Sequence, residues 1–415
     1  MLATHPQPAI LALGTALPRY SGSQEEIGRW MAESFGERRR VQRLVRMIHS
    51  QSGIETRYSC APAYLEPPQS SRFAPGADPR SSATTAERMQ VYEREATPLG
   101  ASAARKALEH YARRRGEDVR EVTASVTHLL AVSCTGLFAP GLDFALTQQL
   151  QLPATVRRTL IGFMGCAAAF NALRTAAEIV QGRPDARVLV VSVELCSLHN
   201  QPSDDYDLLV GASIFSDGAS ACLVGCPRPG DSDFFRLEDF YTAVHPETQQ
   251  EMAWNIRDHG FALRLSPRVP EHLGVAAPAA LRTVFGSKQP RFWAVHPGGR
   301  AIVDKLAEIF HLPAEALSST REVLRQYGNM SSATILFVLE HLQKQLRAGY
   351  PSDGRANGHL RGPLSGPLSG IAMAFGPGLV VETSRLTYVP PLPPLAAAEQ
   401  MAHGHALEPL RDGTA

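Results

Sequence analysis

This chain alternates short apolar runs with longer segments of helical spacing, and that alternation limits the available folds more than any other feature. Three runs have the length of a strand: PAILALGTALP (8–18), THLLAVSC (127–134) and RVLVVSVEL (187–195). The segments FNALRTAAEIVQG (170–182) and SSATILFVLEHLQKQL (331–346) have the length and periodicity of helices. Strands that alternate with helices in this way predict an α/β protein.

Local signals predict where several elements begin. Ser23 and Glu26 have capping-box spacing ahead of the helical segment EEIGRWMAESF. Pro98 stands where it would open a second helix, LGASAARKALEHYARRRG. Either Ser331 or Ser332 is a candidate N-cap for the helix over 331–346.

Two successive series of such elements predict two similar halves, residues 1–235 and 236–388. The Pro-, Ser- and Ala-rich stretch 61–87 is typical of a surface loop, and the Gly/Pro-rich stretch 351–370 of a flexible insertion. GIAMAFGPG and LVVETSRLTYV predict a final hairpin, after which residues 389–415 are expected to form a flexible tail.

Composition argues against several classes of function. The 41 Lys and Arg residues balance 40 Asp and Glu residues, so neither nucleic acid nor an anionic membrane is an expected partner. No apolar run reaches the roughly 18–20 residues of a membrane span. Because the N-terminus also lacks the basic start of a signal peptide, we expect a cytoplasmic protein. Its six cysteines are then expected to be thiols, and Cys222 and Cys226 lack a second ligand pair for a metal.

Cys166 stands between a glycine and an apolar helix that begins with three alanines. A thiol at a helix N-terminus meets the positive end of the helix dipole and unpaired N–H groups, which favour the nucleophilic thiolate. Small residues such as Ala168 and Ala169 let this helix enter a core. The segment taken alone fits equally a buried cysteine that acts as a small apolar side chain.

His296 and Asn329 each stand where a turn leads into a helix. His296 ends the apolar run FWAVHPGG and enters a Pro-Gly-Gly turn, where a functional side chain can be held rigidly. Asn329 follows Gly328 just before a helix, so its amide is placed to donate to an oxyanion. A core histidine and a turn asparagine are the alternatives that the local sequence leaves open.

A fourth motif, AFGPGLVVE (374–382), holds Gly376 and Pro377 in a turn that can approach an active-site wall. In order along the chain, the Gly-Cys pair, VHPGG, YGNMSSA and FGPGLVVE resemble the type III polyketide synthases, the chalcone-synthase-like enzymes. The resemblance covers roughly residues 8–388, and SCTGL and VELCSLH are similar to bacterial members. It implies a homodimer with a thiolase-like αβαβα layered fold built from two similar halves.

The resemblance also implies a mechanism. Cys166 would carry the acyl chain from an acyl-CoA starter, and a cationic His296 would help to keep it a thiolate. His296 and Asn329 would donate to the enolate that forms when malonyl-CoA loses CO2. Such chemistry requires no metal and no redox cofactor, and CoA thioesters are its substrates.

Pocket and CoA-binding positions follow from the same resemblance. LVGASIFSDGASACLVG carries the family's gatekeeper phenylalanine, here Phe215, and the second gatekeeper falls near Leu263, with Phe261 close by. The basic segment VQRLVRMIHSQSGIETRY is similar to the family's CoA-phosphate region, and Arg suits phosphate geometry. The remaining pocket candidates are Cys134, Thr135, Cys196, Ser331, Gly376 and Pro377, and the CoA-binding candidates are Arg43, Arg46 and Arg57.

Several functions share this set of residues. The similarity of SCTGL and VELCSLH to bacterial members favours an alkylpyrone or alkylresorcinol synthase with fatty starters. The alternative within the family is a tetrahydroxynaphthalene synthase that uses malonyl-CoA alone. A ketoacyl-ACP synthase III-like enzyme would perform one condensation with the same Cys, His and Asn. A thiol hydrolase would not need the Asn, and a non-catalytic scaffold would not need any of the three.

Overall fold

The computed structural model describes residues 6–349, 364 and 366–391. Residues 351–363 and 365 of the predicted insertion and residues 392–415 of the predicted tail lie outside the described residues. Within the described ranges, no helix is both long enough and apolar enough to cross a membrane.

The described residues form thirteen strands and eleven α-helices, which we number in chain order. The strands are β1 Ala9–Ala16, β2 Tyr20–Ser23, β3 Thr56–Ser59, β4 His128–Ser133, β5 Arg157–Gly162, β6 Arg187–Leu195, β7 Asp217–Gly225, β8 Phe234–Val244, β9 Met252–Arg257, β10 Gly260–Leu265, β11 Trp293–Val295, β12 Leu368–Gly376 and β13 Val380–Val389. The helices are α1 Gln24–Glu33, α2 Arg39–Gln51, α3 Thr85–Arg115, α4 Val119–Ala124, α5 Leu142–Gln149, α6 Ala168–Gly182, α7 Tyr206–Ile214, α8 Val269–Phe285, α9 Arg300–Ile309, α10 Ser318–Tyr327 and α11 Thr334–Arg347.

Nine of these strands form one sheet in the order β11-β12-β13-β8-β1-β7-β6-β4-β5. In the first half, β4 and β6 are parallel, whereas β6–β7 and β7–β1 are antiparallel. The second half repeats this pattern, with β11 and β12 parallel and β12–β13 and β13–β8 antiparallel. Four strands of each half thus share the same order and directions, which agrees with the two similar halves that the sequence suggested; β5 has no counterpart among the described strands of the second half. The second half begins with β8 at Phe234, two residues before the predicted boundary.

Three of the apolar cores lie between the helical layers and the sheet, and together they define five layers. The central core contains the buried faces of α6 and α11 together with residues from both halves of the sheet. A second core lies between α3 and the outer face of the first half, and a third between α8, α9 and the outer face of the second half. This is the αβαβα layering of the thiolase-like fold that the sequence predicts.

The predicted start of the second helix is wrong. Helix α3 begins at Thr85, behind a capping box of Thr84 and Glu87, and Pro98 lies within it. Pro98 removes one hydrogen bond from the helix. Burial of small side chains against the sheet offsets that loss, because α3 packs its face of Gly100, Ala101, Ala103, Ala104 and Ala107 there.

Candidate active site

A cavity of about 410 Å³ is lined by residues from both halves. It brings together side chains that are far apart along the chain, which is possible because both buried helices, α6 and α11, start beside it. Of the positions singled out from the sequence, it is lined by Cys166, His296, Asn329, Phe215, Leu263, Cys134, Thr135, Cys196, Ser331 and Pro377.

Two glycines let the FGPG turn pack against the turn that carries Cys166. That turn is a short 3-10 segment, Gly165–Ala167, which leads directly into α6. Gly165 has a φ of +65°, and a Cβ there would lie 2.1 Å from Cδ of Pro377. A Cβ at Gly376 would lie 3.0 Å from the carbonyl oxygen of Met164. Glycine at both positions therefore permits the close approach.

The Cys166 side chain is partly accessible from the cavity and otherwise enclosed by protein. Burial raises the pKa of its thiol to about 12, because an apolar environment disfavours the charged thiolate. Hydrogen bonds from the side chains of Ser331 and Asn329 act in the opposite direction and lower that pKa. At rest, Cys166 is therefore a thiol that already contacts two hydrogen-bonding partners.

His296 follows β11, and its backbone N–H donates to the carbonyl of Met373 at 2.8 Å. The side chain is 1% exposed, and neither ring nitrogen has a hydrogen-bond partner among the described residues. Burial lowers the pKa of the imidazole to about 3, so the ring is neutral. The prediction of a cationic His296 is therefore wrong for this structure, and both nitrogens are free to meet a substrate.

The amide of Asn329 is held in one orientation. Its Oδ1 accepts the N–H of Ser331 at 2.8 Å, and its Nδ2 donates to the carbonyl of Gly298 at 3.1 Å. An amide nitrogen carries two hydrogens, so one of them remains for the thiol of Cys166 or for a bound oxygen atom. This arrangement provides a fixed donor on the cavity wall.

Neither Ser331 nor Ser332 is the N-cap predicted from the sequence. Helix α11 starts later, at Thr334, after a 3-10 turn over Ser331–Ala333. Ser332 donates to a buried carboxylate oxygen of Glu194 instead, while the hydroxyl of Thr334 accepts the N–H of Met330 at 2.9 Å. The two serines thus connect α11 to the cavity and to β6 rather than capping the helix.

The gatekeeper positions have different surroundings. Phe215 ends α7 and lines the cavity, and Leu263 on β10 lines it as well. Phe261, the other candidate near the second gate, stacks on His199 at 4.2 Å between ring centroids, outside the cavity lining. Of the two candidates for the second gatekeeper position, Leu263 is therefore the one whose side chain lines the cavity.

Sequence reasoning missed Trp254, which lines the cavity beside Phe215, with 6.1 Å between ring centroids. Its Nε1 donates to the carbonyl of Cys134 at 2.8 Å. Trp254 is the β9 partner of Leu263 in the β9–β10 hairpin. Pairing the short runs MAWNIR and GFALRL across their turn would have identified it.

Glu194 was also missed, since a glutamate inside an apolar run carries no motif. It is fully buried on β6 and accepts hydrogen bonds from the backbone of Cys134 and the hydroxyl of Thr135. Burial raises the pKa of its carboxyl to about 7, and its charge raises the pKa of the Cys166 thiol. The carboxyl thus organises the wall formed by the end of β4.

Arg57 cannot serve as the predicted ligand of CoA phosphates. Its side chain is 1% exposed, and its guanidinium donates to the backbone carbonyls of Ala212 and Phe215. A strand position facing the core explains the difference, because β3 packs Arg57 inward beneath α7. Arg43 and Arg46 lie exposed on α2, whose last turns line the cavity through Met47, Ile48 and Gln51.

The five-layer fold and the site define a class. A thiol, a fixed amide donor and a neutral imidazole that line one largely apolar cavity suit acyl transfer with stabilisation of an oxyanion. The sequence models of the chalcone and stilbene synthase family match this chain, the N-terminal domain over residues 2–228 and the C-terminal domain over residues 238–390. The chain belongs to this family, the type III polyketide synthases, and is a transferase that condenses malonyl-CoA units.

Several characterised relatives resemble the chain over most of its length. Type III polyketide synthase 21 of Oryza sativa is 32% identical over 90% of this chain and 92% of the relative. The alpha-pyrone synthesis polyketide synthase-like Pks18 of Mycobacterium tuberculosis is 30% identical over 90% and 89%. Probable polyketide synthase 1 of Dictyostelium discoideum is 28% identical over 90% of this chain, which spans only 11% of that much longer protein.

Solved structures of the same family share the fold. The type III domain of Steely1 from Dictyostelium has a TM-score of 0.78 at 26% identity, covering 92% of this chain and 99% of that one. PKS-I from the brown alga Ectocarpus siliculosus has a TM-score of 0.79 at 27% identity, covering 94% and 100%.

Proposed function

We propose that Cys166 is the nucleophile that carries the growing acyl chain, and that His296 and Asn329 stabilise the enolate formed from malonyl-CoA. The observation that supports these roles is the one cavity that the thiol, the oriented amide and the unpartnered imidazole all line, with the thiol in contact with the amide. No metal or redox cofactor has a role in this proposal, because the malonyl carboxylate itself supplies the electrons.

A neutral imidazole suits the first step better than a cation would. His296 accepts the proton of the Cys166 thiol as the sulfur attacks the acyl-CoA thioester. The C–S bond to CoA then breaks, and the departing CoA thiolate takes that proton. The acyl group is left on Cys166, and the imidazole returns to its neutral form for the next step.

Decarboxylation then uses both donors. The malonyl carboxylate leaves as CO2, and its electron pair moves into the thioester to form an enolate oxygen. The free Nδ2 hydrogen of Asn329 and an N–H of His296 donate to that oxygen. Phe215 presents an apolar face, which disfavours the carboxylate and favours neutral CO2. The enolate carbon attacks the acyl thioester and displaces Cys166.

We further propose a fatty acyl-CoA starter and an alkylpyrone or alkylresorcinol product. Aliphatic side chains supply much of the cavity wall, and such a wall favours an alkyl chain over a polar starter. The mycobacterial relative is named for alpha-pyrone synthesis, which agrees with this choice. The large aliphatic residues are Met47, Ile48, Val210, Ile214, Met252, Leu263, Leu265, Val269 and Ile302.

Purified protein incubated with malonyl-CoA and a panel of acyl-CoAs from acetyl to stearoyl tests this proposal. Mass spectrometry should detect products that contain one long-chain acyl unit and two or three malonyl-derived units. A product made from malonyl-CoA alone would favour a tetrahydroxynaphthalene synthase instead. A β-ketoacyl product with a single malonyl-derived unit would favour a ketoacyl-ACP synthase III-like reaction.

We also propose a homodimer that forms at β5. This strand lies at one of the two edges of the sheet and pairs with β4 alone among the described residues, so its other side has unpaired backbone groups. Apolar side chains are exposed beside it: Leu160, Leu137, Phe144 and Met164 are 37–45% exposed. Such a patch next to a free edge is typical of a protein–protein interface.

CoA phosphates are proposed to meet the exposed α2 residues Arg43 and Arg46. The same helix lines the cavity with Met47 and Ile48, so a phosphate held at these arginines lies beside the entrance. Helix α2 has no acidic residue in its first turn. Its positive charge is therefore available to an anion.

A further inference from the structure

Arg57 is a buried cation whose acceptors are all neutral. Its Nη1 donates to the carbonyls of Ala212 and, at 3.1 Å, Phe215, and its Nη2 lies 3.4 Å from Nε2 of His49. Among the described residues it forms no ion pair with a carboxylate; burial lowers its pKa, and the charge of Asp217 opposes that shift from beyond ion-pair distance. A buried charge loses its hydration, a cost that an apolar side chain of similar size would not carry. Packing alone therefore does not account for an arginine here.

His49 fits this arrangement as a neutral acceptor. Its Nδ1 lies 2.8 Å from the carbonyl of Val45, which accepts only, so Nδ1 carries the proton. The Nε2 lone pair is then free to accept from Arg57. Burial, reinforced by the charge of Arg57, lowers the pKa of His49 to about 3 and keeps the ring neutral.

The carbonyls that Arg57 binds lie at the C-terminal end of α7, where helix carbonyls lack intrahelical partners. A guanidinium there also meets the negative end of the helix dipole. Every neighbouring carbonyl has its own donor: that of Gly211 accepts the N–H of Phe215 at 3.0 Å, that of Ser213 accepts Nε2 of Gln24 at 2.7 Å, and that of Ile214 accepts the N–H of Asn329 at 2.9 Å.

Phe215 and Asn329 are joined directly at this point. They form an isolated parallel β-bridge, in which the N–H of Ser216 donates to the carbonyl of Asn329 at 2.9 Å. The side-chain stem of Arg57 packs against the residue before Asn329, since a Cβ at Gly328 would lie 3.2 Å from Cγ of Arg57. Arg57 thus contacts the backbone of both segments that the bridge joins.

We infer that Arg57 is a positioning residue that fixes the gatekeeper Phe215 and the amide donor Asn329 relative to each other in the cavity. The Arg57 side chain binds two carbonyls at the end of α7 and packs against Gly328. Its contact with His49 connects the end of α7 and the turn at Gly328 to α2. The inference rests on the proposed roles of Phe215 and Asn329. It gives Arg57 a role in coupling CO2 loss to carbon–carbon bond formation, not in holding CoA.

Substitution of Arg57 tests the inference. Arg57→Met keeps the volume of the stem and removes the donors, whereas Arg57→Lys keeps one charged donor. We expect Arg57→Met to lower kcat for polyketide formation about 10- to 100-fold, with the KM for malonyl-CoA changed less than about threefold. The ratio of CO2 released to product formed should rise, and Arg57→Lys should restore part of both losses.

Arg88 offers a matched control. It is also fully buried, and it donates to the backbone carbonyls of Ala83, at 2.9 Å, and Leu198, but neither of these residues lines the cavity, whereas Phe215, an acceptor of Arg57, does. Arg88→Met and Arg88→Lys should lower the Tm by amounts similar to the Arg57 variants. Their kcat and their ratio of CO2 to product should remain near those of the unmodified protein.

The results of these assays distinguish a structural or phosphate-binding role of Arg57 from a failure of the proposed function. Equal kcat and equal ratios in the Arg57 and Arg88 variants would overturn the inference and leave Arg57 a structural residue. A raised KM with unchanged kcat would overturn it in favour of phosphate binding. If Arg57→Met does not fold, Arg57→Lys against Arg88→Lys makes the same comparison. Absence of malonyl-dependent CO2 release in the unmodified protein would instead contradict the proposed function.

Discussion

The side-chain amide of Asn329 donates to the carbonyl of Gly298, two residues after His296, over 3.1 Å. The N–H of Ser331 binds the other end of the same amide at 2.8 Å, so a flipped amide would lose both bonds. The bond to Gly298 therefore joins the histidine turn to the asparagine turn. One Nδ2 hydrogen remains for the chemistry at Cys166.

Replacement of Asn329 by aspartate tests this donor. Asn329→Asp keeps the size and the acceptor for Ser331, but places a carboxylate oxygen against the carbonyl of Gly298. We expect kcat for condensation to fall about 10²- to 10³-fold, because a donor to the enolate is lost. Steady-state assays should show the fall, and intact-protein mass spectrometry should still detect the acylated enzyme. Unchanged CO2 release would contradict the role of this amide.

The identity of the nucleophile is tested by removing its sulfur. Cys166→Ala should abolish the acyl-enzyme mass shift and lower product formation by about 10³-fold or more, since no other group carries the chain. Cys222→Ala is the matched control, because Cys222 is fully buried in β7 and does not line the cavity. Pyrone formation by the Cys166→Ala protein would show that another residue is acylated.

The pH dependence of alkylation tests the resting protonation states. Burial raises the pKa of the Cys166 thiol to about 12 and lowers that of His296 to about 3. Between about pH 7 and pH 9 the thiolate fraction then rises tenfold per unit while His296 stays neutral. Iodoacetamide labelling of Cys166, followed by mass spectrometry, should accelerate about tenfold per pH unit. A flat profile would instead indicate a preformed thiolate–imidazolium pair.

The second gatekeeper position is expected to control starter length. Leu263 lines the cavity, is partly buried and packs against Gly211 of α7, so a larger phenylalanine there would narrow the cavity. Leu263→Phe should lower kcat/KM for the longest accepted acyl-CoA about tenfold and affect short starters little, a difference of about 1–3 kcal/mol. Competition between short and long acyl-CoAs measures the shift. An unchanged preference would place the chain elsewhere in the cavity.

The proposed dimer interface is tested by charge on the β5 edge. Leu160→Lys places a cation in the exposed apolar patch, and we expect it to shift the protein from dimer to monomer in sedimentation velocity measurements. Val275→Lys on α8 is the control, because Val275 is 77% exposed and lies away from this edge. A dimer that persists in Leu160→Lys would locate the interface on another face.

Local patterns allowed several elements to be predicted. The apolar run RVLVVSVEL is β6, buried at every position, and the capping box of Ser23 and Glu26 does begin α1. The errors arose where distant contacts outweighed local preference. Pro98 lies inside α3 because the helix packs small residues on the sheet, and Ser332 binds Glu194, 138 residues away, instead of capping α11.

Arg57 shows the same limit at the site. Its sequence context is basic and resembles a phosphate-binding segment, but the register of β3 turns the side chain inward to carbonyls more than 150 residues away. Nothing near Arg57 in the sequence identifies those partners. Trp254 was missed for a different reason, because the local hairpin that pairs it with Leu263 was not recognised in the sequence.

The sequence by itself determined the alternation of strands with helices and the chemical types of the thiol, the imidazole and the amide, because these depend on local periodicity and residue identity. Only the tertiary structure decided how those groups act. Burial makes His296 neutral and Cys166 a thiol, and contacts from α1, β3 and the turn at Asn329 fix the end of α7 beside them. Solvation and long-range hydrogen bonding depend on the packed chain, so no short segment specifies them.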